Sequence, residues 1–186
     1  MKSFFNEALL YFLVSILGKI TKSMITSFDK FKAAWEKDAG KPENTIMYYI
    51  IAALNVEKDP KLADAMMSVV VTKKDCMKSG SSPSGLKLGK SAKYFIGQFK
   101  KNKYIARSYV GGNPDNEYKF TKSKLTMTVV KKQDHGKGVK IFIDSGGKDF
   151  DTPLQLRENS SGQWKLTEYS SVCTGVQKTI SEQGDF

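Results

Sequence analysis

The residues "SGLKLGKS", from Ser84 to Ser91, contain the Gly-Lys-Ser triplet of a phosphate-binding loop. In such a loop backbone N–H groups wrap a phosphate and the lysine supplies charge, which requires the spacing G-x-x-x-x-G-K-[ST] after a buried strand. Counting back from Gly89, the first glycine has to stand at position 84, which is Ser84; Gly85 comes one place late. The triplet is therefore expected to be a loop that leads into the next helix. The S-x-x-K pairs Ser27/Lys30 and Ser84/Lys87 lack the companion elements of acyl-transfer serine sites, and Ser27 is better placed as a helix cap.

The single histidine, His135, sits in the turn-like "KKQDHGKG" without a sequence partner for acid–base work. Asp144, Asp149 and Asp151 in "DSGGKDFD" do not have the spacing of a calcium loop, and Lys148 stands among them. Cys76 and Cys173 lie far apart with no metal-ligand spacing and are expected as free thiols. No catalytic residue, metal or cofactor follows from these residues.

Charge is the more informative signal. Of the net +11, residues 76–114 contribute +8, and no acidic residue occurs between Asp75 and Asp115. Lys100, Lys101, Lys103 and Arg107 are the anion-binding candidates of this region. They are interleaved with Tyr94, Phe95, Phe99, Tyr104 and Tyr109, a combination that single-stranded nucleic-acid binders use. The same pattern arises when the aromatics face a core and the lysines face water.

The elements that must position these residues fall into two blocks. In "MKSFFNEALLYFLVSILGKI" the apolar positions Phe5, Leu9, Phe12, Leu13, Ile16 and Ile20 predict a helix, too short for a membrane span. Helices are also predicted at "SFDKFKAAWEKDAG", at "KPENTIMYYIIAALNV" and at "DPKLADAMMSVVV", where Asp59 caps and Pro60 opens the first turn. After a Ser/Gly/Pro-rich loop, "KSAKYFIGQF" begins as a helix and the chain turns extended over Tyr104 to Val110. From "KLTMTVVKK" onward the period becomes that of strands. "VKIFIDS", "PLQLREN" and "WKLTEYSSV" follow across short turns. This predicts an α+β fold: N-terminal helices packed on a C-terminal antiparallel β-meander of about four strands. Residues 1–25 are expected as a helix outside a single domain at 26–176, with 177–186 as a tail. The helix-on-sheet plan is similar to nuclear-transport-factor-like cone folds at the level of architecture.

The stretches "SFDKFKAAW", "NTIMYYIIAALNV", "YIARSYVGGNPDNEYKF" and "VKIFIDSGGKDFDTPLQLRENSSGQWKLTEYSSVCTGV" together resemble a bacterial family of uncharacterised conserved domains. The likeness spans residues 27–176. It implies one α+β domain and carries no activity. This chain departs from the family pattern at "GGKDFDTP", where Lys148 replaces a small residue and the arginine before Pro153 is missing.

With no set of nucleophile, base and orienting group in view, the leading expectation is a non-enzymatic interaction domain with a basic surface, placed in the cytoplasm. Its expected partners are a protein or a second copy, met through Phe5, Leu9, Phe12, Leu13 and Ile16, and an anionic partner; a membrane surface is the weaker alternative. One rival reading is a ligand-binding or enzymatic domain with a pocket between helices and sheet, using Asp144, Arg157, Glu168 and Tyr169. The other is a binder of nucleic acid or of an anionic surface.

Overall fold

A computed structural model describes residues 18–184. The interaction residues proposed at Phe5, Leu9, Phe12, Leu13 and Ile16 lie outside the described residues. The chain runs through β1 (Gly18–Lys22), α1 (Phe28–Asp38), α2 (Pro42–Asn55), α3 (Pro60–Val70), β2 (Cys76–Lys78), β3 (Leu86–Leu88), α4 (Lys90–Lys101) and α5 (Tyr104–Arg107). It continues through β4 (Leu125–His135), β5 (Gly138–Ile143), β6 (Thr152–Glu158), β7 (Trp164–Glu168) and α6 (Ile180–Gln183).

The fold is α+β, and the C-terminal meander of four strands, β4–β7, is extended to a five-stranded sheet by a strand from the start of the described chain. The main sheet has five strands in the order β1-β4-β5-β6-β7, all antiparallel, beside a small β2–β3 ribbon. The additional strand is β1, so the helix expected over residues 1–25 cannot include Gly18–Lys22. Ile20, given above to the apolar face of that helix, pairs with Met127 across the β1–β4 ladder. Only five residues long, β1 shows too few alternations for a period to be read. A second correction falls on Tyr104–Val110, which is helical and not extended. A third is Ser27, which occupies the cap position of α1 without a side-chain cap bond.

The core forms because one face of the sheet and most of α2 are apolar. In β4, β5 and β6, Leu125, Met127, Val129, Ile141, Ile143, Leu154 and Leu156 alternate with partly exposed residues, and this buried face meets the helices. In α2 every residue from Thr45 to Asn55 is buried, so the helix is apolar on all sides. Two shared oxygens tie the layers together. Asp38 accepts hydrogen bonds from Lys22 Nζ and Tyr48 Oη, each at 2.7 Å, linking β1, α1 and α2. The Thr45 hydroxyl accepts from Trp35 Nε1 and donates to the carbonyl of Trp164. In α3, Asp59 caps the helix by accepting from the N–H groups of Lys61 and Leu62, as its position before Pro60 predicts.

The exposed edge of β7 is covered. Thr72 N–H donates to Leu166 O and Trp164 N–H to Ala39 O, so the strand's outer hydrogen-bonding groups are used by the chain itself.

The loops at the other end of the sheet approach closely at two glycines. A Cβ on Gly146 would lie 2.4 Å from the carbonyl oxygen of Gly112, and one on Gly147 would lie 2.4 Å from the Tyr118 hydroxyl. Gly146 N–H donates to Ser108 O, and the Ser145 and Ser108 hydroxyls bond at 2.8 Å. The "SYVGGNPDNEY" and "SGGKD" stretches therefore form one node. Gly146→Ala should cost about 2–3 kcal/mol in chemical denaturation through overpacking against backbone. Gly97→Ala, at a mid-α4 position with nothing within 4 Å, should instead stabilise by up to about 1 kcal/mol.

Candidate functional site

The Gly89 triplet does not form a phosphate loop. Leu86–Leu88 form the second strand of the β2–β3 ribbon, and Gly89 then caps α4. Its missing side chain serves a backbone contact: Gly89 N–H donates to Asp75 O at 2.7 Å, and a Cβ there would lie 3.1 Å from that oxygen. Among the described residues no group of three His, Cys, Asp or Glu side chains is placed to hold a metal ion. His135 is exposed at the end of β4.

The four candidate cations of the acid-free region do not act as one group. Lys100, Lys101 and Lys103 are exposed at the end of α4 and beyond it. Arg107 is already occupied: its Nε and Nη2 donate to the two carboxylate oxygens of Glu57 at 2.8 and 2.6 Å, and its guanidinium lies over Phe120. It borders a pocket of about 310 Å3 with Met24, Leu54, Phe120 and Lys122. The interleaved aromatics mostly face inward. Phe99 and Tyr109 are buried, and Phe95 packs on Tyr169; Tyr94 is the exposed one.

The four polar candidates separate as well. Tyr169 is buried, its ring between Tyr49 and Phe95, and its hydroxyl donates to Asp75 Oδ2 at 3.0 Å. Asp144 is exposed just past β5. The space between α2 and the sheet is filled by buried side chains, and Asp144 and Tyr169 share no cavity there. Arg157 and Glu168, however, come together. They line a surface cleft of about 640 Å3 with Lys73, Lys74, Gln155 and Lys165, bounded by the β6–β7 turn and by the chain leaving α3.

Local structure fixes this cleft from three sides. The β6–β7 turn is held by Asn159, whose side-chain oxygen accepts from Ser161 N–H and Gln163 N–H. A bulge opposite Gln155 turns the end of β7, and the Thr167 hydroxyl donates to Gln155 O. At the base, Lys165 is drawn back over the sheet edge: its ammonium donates to Val69 O and lies 3.8 Å from the centroid of the Trp35 ring. Arg157 is its cross-strand neighbour.

The electrostatics follow from these contacts. Burial pushes the Lys165 ammonium down to about 8, with Lys73 adding to the effect and Cys76 and Glu36 opposing it. Hydrogen bonds from the Ser170 hydroxyl and N–H groups hold Glu168 below the usual carboxylate range. Burial raises the Cys76 thiol to about 11, which removes it as a nucleophile. Lys73, Lys74, Arg157 and Lys165 make no salt bridge among the described residues. What the cleft offers is four cations and two carboxylates, Glu158 and Glu168, beside hydroxyl and amide donors, with Lys74 among the groups that hold Glu168 ionised. Sequence reasoning missed Lys73, Lys74 and Lys165, because only the meeting of β7 with the end of α3 brings them to Arg157.

A helix-backed antiparallel sheet bearing a cationic surface cleft is the class of protein these features define. The chain belongs to the family described as Domain of unknown function (DUF6935), whose profile matches residues 24–180. No curated protein and no solved structure matches it. No helix among the described residues is long and apolar enough to cross a membrane.

Burial also lowers Lys148 to about 8, its ammonium donating to Ser171 O and Thr174 Oγ1. Both lysines titrate at lower pH folded than unfolded, so the unfolded chain binds more protons from about pH 8 up to the ordinary lysine range. Stability should rise as pH increases from 8 toward 10. Above 10 it should fall, because burial keeps Tyr49, Tyr109 and Tyr169 neutral only in the folded chain. Urea midpoints across pH 7–11 measure this, and Lys148→Met with Lys165→Met should flatten the rising limb.

Proposed function

We propose that this domain is a non-enzymatic binding module whose β6–β7 cleft takes an anionic group, a phosphate, sulfate or carboxylate carried by a larger ligand. The observation that carries the reading is the meeting of Lys73, Lys74, Arg157 and Lys165 around one cleft with no salt-bridge partner among the described residues. Arg107 is the contrast: Glu57 neutralises it, and that bidentate pair has to be broken before the guanidinium can be fully used.

Division of labour within the cleft follows from side-chain chemistry. Arg157 offers the planar fork that matches two oxygens of an oxyanion. Lys165, anchored by Val69 and Trp35, supplies a fixed charge whose ordering cost is met on folding. Lys73 and Lys74 are exposed and add field and encounter rate. Glu158 and Glu168 share the lining, so an entering anion must settle on the Arg157–Lys165 side. Binding is favoured over catalysis because the one hydroxyl bonded to a cleft carboxylate, that of Ser170 on Glu168, belongs to a carboxylate held below its usual range, which makes it a weak base.

Sulfate is a suitable probe because its own charge is constant across the relevant range. An anion favours the protonated lysine, so affinity should fall as pH is raised through about 8, the value to which burial takes Lys165. Titration calorimetry should show sulfate binding several-fold weaker at pH 9.5 than at pH 7. Arg157→Gln should weaken it about tenfold at both pH values, and Lys165→Met should remove the pH difference. Binding that is indifferent to both substitutions overturns the reading.

A further inference from the structure

The cleft opens onto the sheet face turned away from the helices. Alternation from the buried positions places Lys19 and Thr21 of β1, Thr126 and Thr128 of β4, Lys140 and Phe142 of β5, and Gln155 and Arg157 of β6 on that face. The β4–β5 register shifts between Val129 and Lys131, which pairs Lys131 with Phe142 and brings Lys131, Gln133 and His135 to the same side. Two contacts agree with this assignment. The Thr21 and Thr126 hydroxyls bond at 3.1 Å, and the ammoniums of Lys131 and Lys140 lie 5.7 and 5.2 Å from the centroid of the Phe142 ring.

No Asp or Glu occupies an outward position of β1, β4, β5 or β6; the carboxylates Asp144, Asp149 and Asp151 lie in the loop at the far end. Lys132 turns to the opposite side, where it pairs with Glu43 of α2. Lys19, Lys131, Lys140 and Arg157 make no salt bridge among the described residues. The face is thus basic across its middle, acidic at the loop beyond β5, and mixed at the β6–β7 cleft, where Glu158 and Glu168 stand beside Arg157.

We propose that the anionic ligand is a single-stranded nucleic acid, with one phosphate in the β6–β7 cleft and the adjoining nucleotides laid across the outer face over Lys140, Phe142 and Lys131. This rests on the anion-binding reading of the cleft. Three features select this partner. The cations are spread over neighbouring strands about 5 Å apart, so they suit a chain of repeated charges more than one compact anion. Phe142 is half-buried with the ammoniums of Lys131 and Lys140 over its ring, and a base that displaces them stacks there while the freed lysines meet the flanking phosphates, the pattern of sequence-tolerant single-strand binding. A duplex buries its base faces and has nothing for Phe142 to stack on.

The experiment uses the full chain with a fluorescent twelve-residue deoxythymidine oligomer and, separately, sulfate. The wild-type chain should bind the oligomer with affinity that falls steeply between 50 and 200 mM salt. Lys131→Glu with Lys140→Glu should weaken oligomer binding at least tenfold and leave sulfate affinity within twofold. Phe142→Ala should weaken it about fivefold or more. Should the reversal destabilise the fold, Lys131→Gln with Lys140→Gln is the milder pair and should still cost several-fold. Arg157→Gln should weaken both ligands. Sulfate binding without oligomer binding overturns this proposal and spares the cleft; loss of both overturns the cleft reading too. Equal binding of a duplex, or of phosphatidylserine vesicles with the same dependence on Lys131 and Lys140, overturns the single-strand assignment.

Discussion

The contact between Gly146 and the carbonyl of Gly112 is the constraint on which the rest of the architecture depends. Two loops far apart in sequence cross there backbone to backbone. The crossing sets where the helical half of the chain ends and how it enters the sheet. Gly112 N–H returns to Arg107 O, while Tyr118, with a left-handed backbone at φ 52, sends its hydroxyl to Gln177 O. Tyr118 also stacks on Tyr104 at 4.6 Å between centroids. One crossing thereby anchors α5, the approach to β4 and the C-terminal segment. A side chain at either glycine has backbone for its neighbour, which cannot yield as a flexible side chain does.

From that node the meander runs outward to its other end, where the turns between β4 and β5 and between β6 and β7 are shorter than the β5–β6 loop at the node. The cleft lies at that end because β7 is a sheet edge which the chain covers with its own backbone. Covering an edge removes unpaired N–H and C=O groups, and here it also brings Lys73 and Lys74 beside Arg157 and Lys165. The basic cleft is a by-product of edge protection, which a strand pattern alone does not reveal.

Much of the fold was legible because the signals were local. Asp59–Pro60 marks the start of α3, and the alternation in "KLTMTVV" and "VKIFI" marks β4 and β5. The failures have equally specific causes. Gly18–Lys22 is too short to display a period, and tertiary pairing with β4 decides its state. Tyr104–Val110 carries β-branched and aromatic residues that suit a strand, yet packing around buried Ile105 and Tyr109 makes it helical. For the site, Arg157 and Glu168, expected in a pocket between helices and sheet, meet instead at a surface cleft beside the sheet edge, because buried side chains fill the helix–sheet space. Tyr169 was drawn into the core because its hydroxyl has a partner in Asp75. The acid-free stretch pointed to Lys100–Arg107, but sequence charge cannot show that Glu57 folds back onto Arg107.

The distribution of carboxylates accounts for where free positive charge remains. Asp38, Glu43 and Glu57 each receive a cation from another element, and Asp59, Asp64 and Asp75 each accept a hydrogen bond that ends or joins an element. Most of the acids on the helical side are thus committed to holding the fold. The lysines and arginine of the outer sheet face have no such partners among the described residues. Interspersed charges of both signs would have sufficed for solubility. The run of cations across the middle of the face instead imposes self-repulsion on the folded chain, and an anion lying across it relieves that cost. Lys165 concentrates the effect: it is desolvated before any ligand arrives, so an anion placed beside it restores an interaction that folding has already taken away.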